Sequence, residues 1–373
     1  MRTLIARYPH FVFIGISTAV TVIAWGVISL FSQPNAVDQT STPPSQIISP
    51  APFQHPLTGA PLNAPANLGI ITVMVENSYE AWPLAGIEAA PLVIEIPAEG
   101  YIPRLLAIFG SDQIVDSIGP VRSARPYFID WVDQFSALYA HSGGSPSALS
   151  ALATNKNIID RNEFSFGQFF VRLPDRSSPH NLFTSIEYLT DSLGSRTLPQ
   201  FTTPFIPFTA SSVTASTAMS ITPSATTTIT PSTTNSATTT SQDLIITWPS
   251  ARAYDIRWKY SAASNQYTRE TPKSGVWTAV KTASDSEITV ANVIILEAEM
   301  NVLDSVGRLS VETIGNGAGE LLQAGQRQSI LWSKPSTSQT TVFTYQNGEP
   351  VTLIPGSTWI IVLPNLPNSL IAN

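Results

Sequence analysis

Residues 118–153 read IGPVRSARPYFIDWVDQFSALYAHSGGSPSALSALA, and this stretch is the most chemically specific part of the chain. Proline fixes φ near its helical value and lacks the N–H that a first helical turn leaves unpaired. Pro126 therefore predicts a helix that begins just after Arg125, and the aromatic and aliphatic side chains that follow at three- and four-residue steps predict one buried face. The next apolar run predicts a short core strand that ends at His141.

A glycine pair follows the predicted strand. Gly143 and Gly144 allow a sharp turn, and Ser145 is a favourable N-cap for a helix that opens at Pro146. The sequence therefore predicts a strand, a glycine loop and a helix. Such a loop directs backbone N–H groups at one point and suits an anion, so Gly143, Gly144 and Ser145 are candidate ligand-binding residues.

Two arginines precede the first helix of this stretch. Arg122 and Arg125, with Ser123 between them, can close on the same anion, because a guanidinium offers planar, bidentate donors. All three residues join the candidate set. The alternative is that the glycines only permit a tight turn and that the arginines pair with local carboxylates.

Further candidates lie outside this stretch. Between residues 69 and 196 the chain has seven arginines and a single lysine, a bias that suits the recognition of carboxylates or phosphates. A polar, proline-rich loop at 170–181 contributes a histidine. We therefore add four residues to the predicted ligand-binding set: Arg104, Arg176, His180 and Asn181.

A catalytic interpretation stays open. His141 would be a general base, with Glu99 or Ser145 as its partner. The chain contains no GxSxG, HExxH or P-loop sequence and no spacing typical of a metal site. We therefore predict no metal site and no cofactor, and the sequence leaves the existence of any enzymatic activity undecided.

Charge and cysteine content exclude several classes of protein. The chain of 373 residues has a formal net charge of −7 and no cysteine. An acidic balance without a basic run argues against nucleic-acid binding. The lack of cysteine excludes disulfides, thiolate metal sites and attachment through a lipidated cysteine.

The N-terminus predicts attachment to the cell membrane. Residues 11–31 carry no charge, are long enough to cross a bilayer as one helix, and follow Arg2 and Arg7. We predict a single-pass signal anchor there, a cytoplasmic tail at 1–10 and an extracytoplasmic remainder. Cleavage near Ala36 is the alternative, and it would release the same exterior part.

The remainder divides into two predicted domains. Residues 32–68, rich in Pro, Ser, Thr and Asn, predict an extended stalk, and residues 69–196 predict an α+β or α/β domain with a mixed sheet. The uncharged, Thr/Ser-rich segment 197–242 predicts a disordered low-complexity linker. Short β-prone runs at 243–365 predict a mainly β domain, followed by a tail at 366–373.

Three sequence blocks carry a family resemblance: GPVRSARPYF at 119–128, HSGGSP at 141–146 and RLPDRSSPHN at 172–181. They resemble the YerB-like family of bacterial envelope proteins, a domain of unknown function. The resemblance implies a lipoprotein or membrane-anchored protein with an N-terminal and a C-terminal domain and no established activity. The chain departs from the family pattern at Trp82 and Leu84, where arginine and glutamine are usual, and in lacking the lipidated cysteine.

The leading functional hypothesis is a membrane-anchored, extracytoplasmic binding or scaffolding protein that engages an anionic cell-envelope ligand, such as a cell-wall polymer. A cell-wall-polymer hydrolase or transferase that uses His141 is the runner-up, and a structural partner of another membrane protein is the third. The sequence identifies no protein partner. Trp258, Trp277 and Trp359 fit either sugar stacking or a protein core.

Overall fold

The structure is a computed structural model that describes residues 53–209, 239–240, 243–249 and 251–372. The expected cytoplasmic tail, the expected anchor at 11–31, the stalk up to residue 52 and most of the expected linker lie outside the described residues. Within the described ranges, no helix is both long enough and apolar enough to cross a membrane.

The N-terminal half alternates strands with short helices. Its strands are β1 (Phe53–Gln54), β2 (Pro61–Leu62), β3 (Ile70–Val75), β4 (Leu92–Pro97), β5 (Pro103–Gly110), β6 (Leu138–His141), β7 (Ile159–Asn162), β8 (Val171–Arg172) and β9 (Leu182–Phe183). Its helices are α1 (Pro126–Asp133), α2 (Pro146–Thr154), α3 (Glu163–Phe166) and α4 (Ile186–Asp191). Single 3₁₀ turns lie at Tyr79–Ala81, Ile87–Ala89, Glu99–Tyr101 and Gly167–Phe169.

The C-terminal half is mainly β. Its strands are β10 (Thr239–Thr240), β11 (Asp243–Ile246), β12 (Ile256–Ser261), β13 (Gln266–Lys273), β14 (Val276–Ala279), β15 (Thr289–Val290), β16 (Asn292–Glu297), β17 (Met300–Val302), β18 (Leu309–Val311), β19 (Gly315–Gln323), β20 (Gln326–Lys334), β21 (Val342–Tyr345), β22 (Thr358–Leu363) and β23 (Leu370–Ala372). A 3₁₀ turn lies at Arg252–Tyr254 and one short helix, α5, at Leu366–Ser369.

One mixed sheet runs through both halves. Its strand order is β10-β20-β19-β16-β22-β4-β5-β3-β6-β7, and β21 pairs with β20. The halves join where β22 runs parallel to β4, with Ile360 opposite Ile94. The mixed sheet of the N-terminal domain and the mainly β character of the C-terminal domain are confirmed. The sequence did not predict that both domains share one sheet.

Both faces of the shared sheet are covered. On one face, Trp258 and Tyr267 from a smaller sheet, with strand order β14-β13-β12-β11-β23 and β15 beside β13, pack in the same cluster as Val73. On the other face, Phe128 and Trp131 of α1 pack in the same cluster as strand β22. Strands β3, β4 and β22 are buried along their whole length, as expected for central strands between two layers.

The expected domain boundaries fall inside packed structure and need correction. Leu57 is buried beside the β1–β2 hairpin, although the sequence placed it in the stalk. Phe205 and Ile206 are buried too, although the linker was expected to start at residue 197. The expected tail at 366–373 contains α5 and β23, and β23 pairs with β11. In each case buried apolar side chains extend the core into a segment whose composition had indicated a stalk, a linker or a tail.

Candidate functional site

The glycine loop after β6 has the predicted architecture. Gly143 has a φ of +63°, a left-handed conformation that glycine adopts without steric cost, and a Cβ there would lie 2.9 Å from Phe164 Cε2. Its N–H donates to Asn162 Oδ1 at 3.0 Å. Ser145 Oγ accepts from the Ala148 N–H at 3.3 Å and caps α2. The Ser145 hydroxyl therefore supports the helix rather than a ligand.

An open cleft of about 420 Å³ borders this loop, and we call it the glycine-loop cleft. Its walls include Arg122, Ser123, Gly143, Gly144, Phe164 and Arg172. The N–H groups of Ser123 and Gly144 donate to no acceptor within the described part of the chain. The structure thus brings together four of the predicted ligand-binding residues, and two of them offer unused backbone donors.

A buried carboxylate lies behind the cleft. Glu76 is only 6% exposed, and its Oε1 lies 3.3 Å from Arg122 Nε and accepts from Ser78 Oγ at 3.0 Å. His180 Nδ1 lies 2.9 Å from Glu76 Oε2. Glu76 therefore offsets part of the Arg122 charge. The two Nη groups of Arg122 donate no hydrogen bond to the described residues, so they remain available to a ligand.

Arg172 faces the same cleft from the other side. Its Nη2 donates to Glu163 Oε1 at 2.7 Å, and Ser142 Oγ donates to Glu163 Oε2 at 2.8 Å. Its Nη1 donates to Asn181 Oδ1 at 3.0 Å. Asn181, a predicted ligand-binding residue, therefore orients Arg172. Because each arginine has a carboxylate behind it, the cleft offers directed donors rather than a large positive charge.

A separate ion-pair cluster takes up Arg104, Arg125 and Glu99. Arg125 Nε lies 2.5 Å from Glu99 Oε1, and Arg104 Nη2 lies 3.1 Å from Glu99 Oε2. Burial opposes charge on Glu99, but the hydrogen bond from Arg125 and the charge of Arg104 outweigh it, so the pKa of Glu99 lies below its ordinary value. Arg104 Nη1 also donates to the Ser123 carbonyl at 2.7 Å. The structure therefore places Arg104, Arg125 and Glu99 in one ion-pair cluster outside the cleft, and their predicted ligand-binding and catalytic roles stay predictions.

His141 is buried in the protein and does not face the cleft. It is 0% exposed, its Nδ1 lies 2.7 Å from the Gly143 carbonyl oxygen, and its Nε2 lies 2.8 Å from Asp160 Oδ1. Its ring also packs 4.9 Å from that of Tyr139. A general base must reach a substrate proton, and both ring nitrogens here are already used. The catalytic hypothesis for His141 is therefore corrected to a structural one: His141 ties β6, the glycine loop and β7 together.

A second cavity, of about 760 Å³, contains the remaining two predicted residues, and we call it the Trp82 cavity. His180 lines it, and Arg176 donates to the carbonyl oxygens of Pro83, at 3.1 Å, and of Ala81. The Arg176 guanidinium also lies 5.3 Å from the ring centroid of Phe183. Arg176 therefore fixes the wall of this cavity and is not part of the glycine-loop cleft.

A third cavity, of about 480 Å³, lies between the loop after β3 and the smaller sheet, and we call it the tyrosine cavity. The rings of Tyr79 and Tyr254 stack there at 4.8 Å with an interplanar angle of 24°. Trp82 and Arg269 also line it. Arg269 is 3% exposed, and its Nη2 donates to Glu95 Oε1 at 2.9 Å.

Two of the three candidate sugar-stacking tryptophans belong to the core. Trp258 and Trp359 are 0% and 1% exposed and pack edge to face at 5.5 Å. Trp277 is half-buried on β14 under the Arg257 guanidinium, which lies 5.4 Å from its ring.

The predicted set left out Arg172, Phe164 and Trp82, although the family resemblance marked Trp82 as a position where arginine is usual. Arg172 opens the RLPDRSSPHN block and could have been found there, whereas an exposed aromatic such as Phe164 carries no distinguishing signal. Among the described residues, no group of three or more His, Asp or Glu side chains is placed to hold a metal ion.

Fold and site define a two-domain protein whose domains share one sheet and whose glycine loop borders a polar cleft. The chain belongs to the family described as "Protein of unknown function (DUF3048)": the N-terminal domain of that family matches residues 57–199, and the C-terminal domain matches residues 244–360. The YerB-like resemblance expected from the sequence is thus confirmed.

Two comparisons with individual proteins agree with this assignment. The chain is 28% identical over 300 residues to "Putative lipoprotein YerB" of Bacillus subtilis (strain 168), which covers 79% of this chain and 81% of that protein. It is also similar to the crystal structure of the YerB protein from Bacillus subtilis, with a TM-score of 0.68 at 27% sequence identity. That match covers 86% of this chain and 99% of the other.

Proposed function

We propose that this protein is anchored in the cell membrane, faces the outside of the cell, and binds an anionic group of a cell-envelope molecule in the glycine-loop cleft. The uncharged segment 11–31 supports the anchoring, and the similarity to a protein named as a lipoprotein supports the location. The anchor replaces the lipidated cysteine that this chain lacks.

One observation carries the binding proposal. The free Nη groups of Arg122, the unused N–H groups of Ser123 and Gly144, and the Arg172 guanidinium line one open space. Arg172 is held there by its bonds to Asn181 and Glu163. Backbone N–H groups together with arginine donors match the geometry of a carboxylate or a phosphate. A polymer hydrolase is not favoured, because His141 and Glu99 lie outside the cleft and are fully engaged with protein groups.

Calorimetric titration of the full chain in detergent with a monomeric muropeptide, whose stem peptide carries carboxylates, tests this proposal. Arg122→Ala and Arg172→Ala each remove a charged hydrogen-bond donor, so each is expected to weaken binding by about tenfold or more. Arg196→Ala is the matched control, because Arg196 is an exposed arginine outside the cleft and its loss should leave the affinity unchanged. Equal affinity in all four proteins would refute the proposal.

A further inference from the structure

The three cavities are neighbours. Ser178 lines both the glycine-loop cleft and the Trp82 cavity, and Trp82 lines both the Trp82 cavity and the tyrosine cavity. The cavities, of about 420, 760 and 480 Å³, therefore follow one another along the surface. A single compact ligand usually fills one cavity of this size, so a row of three suits a long ligand. We call this row the three-cavity groove.

Flat aromatic surfaces follow the groove beyond the cleft. Trp82 stands at the boundary of the second and third cavities, with its Nε1 held by Asn77 Oδ1 at 3.1 Å. The stacked Tyr79 and Tyr254 rings form the wall of the third. Rings fixed in this way present apolar faces with polar edges beside them. A sugar ring has the complementary surface, because its C–H faces are apolar and its hydroxyl edge is polar.

The charges along the groove decide between two kinds of anionic polymer. The cleft end carries Arg122 and Arg172. The middle cavity is lined by two carboxylates, Glu80 and Asp175, and by one guanidinium, Arg176, which donates to the carbonyl oxygens of Pro83 and Ala81. A chain with a negative charge on every unit would place one beside these carboxylates, which is unfavourable. A polymer whose anionic groups are separated by uncharged rings avoids that repulsion, and its hydroxyl groups can donate to the carboxylates.

The far end of the groove retains unused donors. Arg269 is 3% exposed, yet its guanidinium makes a single hydrogen bond in the described part of the chain, from Nη2 to Glu95. Its Nε is buried without an acceptor there. Nε itself is closed off from solvent, but Arg269 lines the tyrosine cavity, so an unused N–H of an Nη group can bind a polar substituent on a ring there.

We propose that the ligand is an extended glycan that lies along the three-cavity groove, with one anionic group in the glycine-loop cleft and its sugar rings against Trp82 and the Tyr79–Tyr254 stack. This inference rests on the proposed function for the position of the anionic group. It adds the ligand class, an anionic glycan of several rings, and it adds two subsites that the cleft alone does not provide.

The test measures how affinity depends on ligand length. Full-length protein is titrated with peptidoglycan fragments of one, two and four disaccharide units that carry stem peptides. Glycerol phosphate oligomers of matching length serve as ring-free anions. The wild type is expected to bind the four-unit fragment about tenfold or more tightly than the one-unit fragment, because each added subsite contributes to the same complex. The ring-free oligomers should show no comparable gain.

Variants show which residues produce the increase in affinity with ligand length. Trp82→Ala is expected to remove most of the length dependence and to leave the affinity for the one-unit fragment within about twofold. Trp277→Ala is the matched control, because it removes a half-buried tryptophan that does not line the groove. Tyr79→Ala, at a ring that is 47% exposed, gives a second measurement should Trp82→Ala fail to fold.

The outcomes separate this inference from the proposed function. If the one-unit fragment binds through Arg122 without any gain with length, the groove is refuted and the cleft stands. If length dependence requires Trp82 but not Arg122, the groove stands and the anion cleft is refuted. A Trp82-dependent gain with glycerol phosphate oligomers refutes the glycan assignment, and no binding of any fragment refutes both.

Discussion

At the scale of single residues, Lys334 combines a charge with complete burial. It is 0% exposed, and its Nζ donates to the carbonyl oxygens of Thr337, at 2.9 Å, and Gln339, at 2.6 Å. Burial lowers the pKa of Lys334 from 10.5 to about 8, although Asp130 and Asp133 oppose the change. The lysine therefore ties the end of β20 to the turn that follows.

This pKa predicts a pH dependence of stability. Since the folded state releases the Lys334 proton at a lower pH than the unfolded state, the free energy of unfolding should rise as pH increases from about 8 toward 10.5. Between about pH 7.5 and 9.5, wild type should gain roughly 2 kcal/mol relative to Lys334→Met. Urea unfolding of both proteins at both pH values measures this difference. The buried tyrosines contribute equally to the pH dependence of both proteins, so their contribution cancels. A difference that does not change with pH would contradict the assignment.

Single residues also show how far the sequence predicts the site. Arg122, Ser123, Gly143 and Gly144 were expected to meet, and they do, because the glycine loop and the start of α1 are set by local signals. The pairing of Arg125 with Glu99 could not be predicted. These residues are 26 positions apart, and only the strand and turn geometry determines which carboxylate a guanidinium reaches.

At the scale of elements, local chemistry determined the helix and strand ends. α1 begins at Pro126, β6 ends at His141 and Ser145 caps α2, all as the sequence predicted. The pairing of β22 with β4 had no such signal, since Trp359 and Glu95, which meet there, are 264 residues apart. Both strands are mainly apolar and could pair with many others.

The ion pair between Glu95 on β4 and Arg269 on β13 joins the two sheets and makes a quantitative prediction. Arg269→Met leaves the fully buried Glu95 carboxylate with only Trp359 and Asn77 as donors, so it should destabilise the protein by about 3–5 kcal/mol. The double variant Glu95→Gln/Arg269→Met removes the uncompensated charge, so its free energy of unfolding should fall clearly less than that of Arg269→Met. Urea unfolding of the wild type, both single variants and the double variant gives the coupling energy.

Arg308→Met is the control for that cycle. Arg308 pairs with Asp304 at 2.5 Å in a partly exposed site, where solvent screening leaves such pairs little influence on stability. Equal losses in the free energy of unfolding for Arg269→Met and Arg308→Met would mean that the buried pair does not hold the sheets together. A double variant less stable than Arg269→Met would argue against an uncompensated charge as the cause.

At the scale of the whole molecule, the shared sheet makes the two family domains one folding unit. β22 pairs with β4 along Thr358–Leu92 to Ile361–Glu95, and the core on each face of the sheet combines residues of both halves. Separation would expose the buried edges of two central strands together with the apolar clusters that cover them. We therefore expect both halves to unfold in a single transition in calorimetry.

A cut between the halves tests this expectation directly. A specific protease site inserted after residue 220, between the regions matched by the two family domains, allows the folded chain to be cleaved into two fragments. Cleavage breaks neither the β22–β4 pairing nor the contacts within the two core clusters. The fragments should therefore co-elute in gel filtration and separate only in denaturant. The cleaved protein should also keep the affinity of the intact chain for the muropeptide monomer, since every residue of the glycine-loop cleft lies in the first fragment. Fragments that separate without denaturant would show that the two domains fold independently, and the shared sheet would then not be what holds them together.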